Sequence, residues 1–122
     1  MLQDLSVPIL KIWKDTIALP LIGSFDDERA ERMITSVLNE CTSSRIRYVL
    51  ISLVGLHSFD DGIKRTIQNL SDCLHLLGAQ CIIIGISTEL AITIQSLDSS
   101  IPTFATAHAG LEHILELQKY AI

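Results

Sequence analysis

Two runs constrain this chain more than any other feature: Tyr48-Val49-Leu50-Ile51-Ser52-Leu53 and Gln80-Cys81-Ile82-Ile83-Ile84-Gly85. Each is apolar almost without interruption, so each needs cover on both faces. That is the situation of a central strand in a parallel sheet, whereas a half-wet antiparallel strand alternates. Between the runs Ile63, Ile67, Leu70, Leu74 and Leu77 keep helical spacing, and Gly78 then supplies a stop. Parallel neighbours need such a crossover, and a βαβ unit follows.

The flanking segments complete the pattern. Pro8 to Trp13 and Thr16 to Pro20 read as short strands joined at Lys14-Asp15, an opening hairpin. From Ser24 the period changes: Ala30, Met33, Ile34, Val37, Leu38 and Cys41 share one face of an amphipathic helix, whose first turn suits Asp26, Asp27 and Glu28. A third helix is predicted from about Ser87 to Leu97, then a strand near Thr103 to Ala105. Thr106 caps a last helix through about Tyr120. The order β-β-α-β-α-β-α-β-α defines an α/β fold, a mixed and mostly parallel sheet with an opening hairpin and four helices. With 122 residues, 48% of them hydrophobic, a single domain over residues 1–122 is expected.

Charge and cysteines narrow the function classes. The net charge is −5 and no basic residue lies between Arg65 and Lys119, so there is no basic stripe for a phosphate backbone and no nucleic-acid partner is expected. Asp72, Glu89, Asp98, Glu112 and Glu116 make that half mildly acidic, which favours a basic partner. Cys41, Cys73 and Cys81 are odd in number and lack Cys-x-x-Cys spacing, which fits a reducing cytosol. Met1 to Val7 has no signal-peptide character and no apolar run approaches a membrane span, so a soluble cytoplasmic protein is expected. His57, His75, His108 and His113 lack metal-ligand spacing, and no phosphate-binding or nucleophile motif occurs; neither catalysis nor a cofactor is expected.

One stretch does carry chemistry. In Leu53 to Ile63 an apolar strand runs into Asp60-Asp61 where a helix should begin. A helix N-terminus carries about half a positive charge and unpaired N–H groups, so a charge added or removed there acts as a switch. Ser58-Phe59-Asp60-Asp61 also fits the S-x-x-D capping box, with Ser58 and Asp61 serving the orphan N–H groups.

The element order, with an acidic pair at the start of the second helix, resembles the STAS domain of anti-sigma factor antagonists. Ile9 to Trp13, Leu19-Pro20-Leu21-Ile22-Gly23, Leu76 to Ile83 and Ile84-Gly85-Ile86 are similar to the RsbR and RsbS branch that builds bacterial stressosomes. The resemblance covers roughly residues 7 to 118. It implies a non-enzymatic module that binds a serine/threonine switch kinase or anti-sigma protein, associates with other STAS proteins, and forms homo-oligomers. It also implies two phosphorylation positions. The first falls on Asp61, preceded by Asp60, so a fixed charge of −1 stands where the family carries a hydroxyl acceptor. The second falls on Thr93, beside Ile92; Ile92 and Gly62 are candidate partner contacts.

Two other readings remain open. A small-ligand sensor would bind beyond the carboxyl ends of the strands, around Gly23, Gly55 to Asp61 and Ser87. A receiver-like phosphoaspartate protein would hold magnesium between Asp26-Asp27 and Asp60-Asp61. The opening hairpin and the absence of lysine from residues 66–118 argue against the receiver.

Overall fold

The computed structural model describes residues 7–56, 58–88, 90–91 and 100–119. Five strands, β1 (Leu10–Trp13), β2 (Thr16–Gly23), β3 (Tyr48–Leu56), β4 (Gln80–Ile84) and β5 (Thr103–Phe104), lie in that order across one sheet. β1 pairs antiparallel with β2, and every later pairing is parallel. The helices are α1 (Asp27–Ser44), α2 (Asp61–Leu76) and, last in the described chain, α3 (Ala107–Lys119).

Side-chain alternation along the central strands builds two cores. Val49, Ile51, Leu53, Cys81 and Ile83 face α1 and α2, where Met33, Val37, Ile67, Leu70 and Leu74 meet them. Tyr48, Leu50, Ile82 and Ile84 face the other way, against Ile114 of α3. The near-continuous apolarity of the two runs therefore has its expected cause. α3 packs on β3, β4 and β5. At Gly110 the helix comes so close that an added Cβ would lie 2.5 Å from Ile84 Cγ2 and 3.1 Å from Leu50 Cδ1.

The boundaries differ from the sequence reading in physical detail. β2 runs past Pro20 to Gly23, because β1 pairs it only between Thr16 and Ala18 and the missing N–H of Pro20 deprives no outer neighbour. Leu77, expected on the buried face of the second helix, is half exposed just beyond α2. Gly78, at φ +80°, turns the chain there: its N–H donates to His75 O at 3.0 Å, and Ala79 N–H donates to Leu74 O at 2.9 Å. Thr106 does cap α3, its Oγ1 accepting from Ala109 N–H at 3.1 Å. After β4, the Ser87 hydroxyl accepts from Leu90 N–H at 3.1 Å and the backbone is helical at 88, 90 and 91. The rest of the expected third helix, including Ile92 and Thr93, lies outside the described residues, as does His57.

The first hairpin is clamped from a distance. Trp13 Nε1–H donates to Gln118 Oε1 at 3.1 Å, and Gln118 Nε2–H donates to Lys14 O at 2.7 Å.

Candidate functional site

The start of α2 stands at the carboxyl end of β3, where the chain leaves the sheet through Leu56 and Phe59, both packed against the larger core. With Phe59 turned inward, Asp60 takes the N-cap: its backbone is extended (φ −104°, ψ −178°) and Oδ1 accepts from Ile63 N–H at 2.9 Å. The capping box expected from Ser58 and Asp61 is thus replaced by a cap at Asp60 alone. Ser58 is exposed ahead of the helix, outside its hydrogen bonding.

Asp61 is consequently left without a capping duty. It occupies the first helical position with its side chain 90% exposed, 3.9 Å from the Lys64 ammonium. A contact at that distance in water is weak, so the carboxylate stands available to a partner at the positive end of the helix dipole. Gly62 follows, half-buried, and its carbonyl accepts from the Thr66 hydroxyl at 2.9 Å.

α1 starts on the same plan. Asp26 Oδ1 accepts from Arg29 N–H at 2.7 Å, and Asp27 and Glu28 lie in the first turn. Arg29 bonds the Ile22 and Ser24 carbonyls at 2.8 and 2.6 Å and lies over the Phe25 ring at 4.0 Å, which fixes this corner beside α2. The two helix starts flank a shallow recess of about 200 Å³ lined in part by Asp27, Glu31, Gly62 and Arg65. Asp26 and Asp60 are spent on their own helices, and among the described residues no three His, Cys, Asp or Glu side chains converge on a metal-sized site. Recesses of about 300 and 490 Å³ open at the opposite end of the sheet, by Gln80 and by Arg45.

The thiols are built as core. Burial, with Glu40 adding to it, pushes the Cys41 thiol up to about 11, and burial alone pushes Cys81 up to about 12. Among the described residues no helix is long and apolar enough to cross a membrane.

A family model for the STAS domain matches residues 8–110. The chain belongs to the STAS domain family. Among curated relatives, RsbT co-antagonist protein RsbRA of Bacillus subtilis (strain 168) is 34% identical over 119 residues, which is 95% of this STAS chain and 43% of that protein. A blue-light photoreceptor of Listeria innocua is 29% identical over 114 residues, 91% of this chain and 45% of that one. The chain thus spans less than half the length of these relatives. Among solved structures, a Moorella thermoacetica RsbS variant with a serine-to-glutamate substitution superposes with a TM-score of 0.78 at 24% identity, covering 93% of this chain and 97% of that one. A chain from a study of the molecular architecture of the stressosome gives 0.74 at 23%, covering 91% and 98%. These likenesses fix the fold: a STAS sheet with an opening hairpin.

Proposed function

We propose that this STAS chain is a non-enzymatic regulatory module of partner switching, which binds a serine/threonine switch kinase or anti-sigma protein and associates with other STAS chains. The observation that carries the reading is the division of labour at α2. Asp60 closes the helix, and Asp61 presents an exposed carboxylate, held only by a weak contact to Lys64, at the position where the family resemblance places a phosphorylatable hydroxyl. A carboxylate there supplies permanent negative charge, −1 where a phosphate would carry about −1.5 to −2. The first switch position is therefore fixed, and regulation passes to Thr93, whose phosphorylation adds charge beside Ile92. Gly62 lies beside Asp61 at the start of α2, in the area the partner would contact. Relatives named as RsbT co-antagonists support a role for the domain in partner antagonism.

The test is incubation with ATP and the switch kinase of the same bacterium, with added phosphate located by peptide mass spectrometry and Thr93→Ala as control. Phosphate confined to Thr93 is expected, and Asp61→Ser is expected to gain a second site and to change partner affinity. Stable kinase binding with no phosphate would remove Thr93 from the mechanism. An Asp61→Ser variant identical to the parent in both assays would remove Asp61.

A further inference from the structure

At the end of the sheet remote from Asp61, the link from α1 to β3 places an arginine on either side of a core residue. Ile46 is buried, whereas Arg45 and Arg47 are exposed, and both line the recess of about 490 Å³. The backbone that carries them is pinned. Arg47 N–H donates to Asp15 O at 2.8 Å, and Arg47 O accepts from Gln80 N–H at 2.8 Å. At the end of α1, Cys41 O accepts from the N–H groups of both Arg45 and Ile46, and at the end of α2 the N–H groups of Leu77, Gly78 and Ala79 are used in the same way. Backbone donors thus serve both helix ends, a duty that arginine side chains often take. Among the described residues neither guanidinium has a hydrogen-bond or ion-pair partner. Asp15 brings one carboxylate to the lining against these two cations, while Glu40 nearby is engaged by the Ser44 hydroxyl at 2.6 Å. Leu77, half exposed, supplies an apolar wall.

We propose that this recess docks an acidic segment of a partner protein, in which carboxylates flank an apolar side chain. Charge complementarity selects the occupant. A guanidinium matches a carboxylate through two parallel N–H···O bonds, and two guanidiniums on one rim fix the orientation of a segment that carries two carboxylates. The apolar residue between them would lie against Leu77. A volume of about 490 Å³ holds a few side chains, within the roughly 300 to 1,000 Å³ of ordinary binding clefts. The whole chain carries −5, so an acidic segment is repelled elsewhere and this recess, with its excess of positive charge, is where it can settle. A nucleic acid would need a continuing row of cations for its phosphates, and none follows in sequence between Arg65 and Lys119. A small anion would leave Leu77 uncovered. The surface lies at the opposite end of the sheet from the start of α2 and does not depend on the role given to Asp61.

The probe is a capped pentapeptide of one leucine with two glutamates on each side, titrated into the isotope-labelled protein and followed by backbone amide NMR shifts. Shifts are expected at Thr42, Arg45, Arg47 and Leu77 and not at Asp61 or Gly62, with affinity falling as salt is raised. The same peptide with glutamine for glutamate is expected to bind detectably more weakly. Arg47→Gln keeps both backbone hydrogen bonds of that residue and is expected to weaken binding about threefold to tenfold. Arg45→Gly should weaken it to a similar degree while holding or raising the melting temperature, because glycine relieves the left-handed backbone at φ 54°. A variant that is at least as stable and yet binds less well separates a lost contact from a lost fold. Absence of shifts at the recess, an equal response to the glutamine peptide, shifts centred on the start of α2, or variants that bind as the parent does would each overturn the proposal.

Discussion

Adjacent carboxylates at the start of α2 do different work, and substitution should separate them. Asp60→Ala removes the side-chain cap of Ile63 N–H and is expected to cost about 1 kcal/mol in urea or thermal unfolding. Asp61→Ser gives up its interaction with the helix end and the weak contact to Lys64, together a few tenths of a kcal/mol, so its expected effect lies in partner binding. The S-x-x-D spacing pointed to Ser58 because the sequence carries two eligible caps two residues apart. The choice depends on Phe59 turning into the core, a tertiary fact that local spacing does not encode. The cysteines make a second test at this scale. With Cys41 and Cys81 buried and their thiols held up to about 11 and 12, alkylation at neutral pH is expected to mark Cys73 first, read by mass spectrometry of the folded protein. The sign of the linkage follows. Above about pH 9 the unfolded chain releases thiol protons that the folded chain keeps, so stability is expected to fall as pH rises from about 9 toward 12.

Among the elements, the parts legible in sequence are those set by periodicity. The faces of α1 and α2 follow the spacing of Met33, Val37 and Cys41 and of Ile63, Ile67, Leu70 and Leu74, all buried. Thr106 was readable as a cap because its hydroxyl needs only a helix behind it. Helix ends set by tertiary packing were not readable. Arg45 adopts left-handed geometry at φ 54° with no sequence signal, where glycine would be unstrained. Arg45→Gly is expected to stabilise by up to about 1 kcal/mol in thermal unfolding, the gain being reduced by glycine's greater freedom in the unfolded chain. Gly110 tests the opposite expectation. Propensity favours Gly110→Ala inside a helix by about 1 kcal/mol, but the new methyl would meet Ile84 at 2.5 Å. The packing penalty for such a clash, about 1 to 3 kcal/mol, is expected to win or to cancel the gain, and chemical denaturation will show which.

The pairing of β1 with β2 and of β3 with β4 was legible in the opening hairpin and the two apolar runs, whereas the placing of β2 beside β3 and of β5 beside β4 was not. Which half of the sheet α3 covers was not, because that follows from the close approach at Gly110 and from the reach of Gln118, neither of which has a local signature. The Gln118 clamp has a further consequence for the order in which the molecule is completed. A chain made from its N-terminus offers β1 and β2 first, yet the hydrogen bonds that hold their turn and the Trp13 ring come from the last turn of α3, 105 residues on from Trp13. The first of the five strands to be synthesised is therefore among the last to be locked, and the Trp13 ring takes its final place only when α3 has docked.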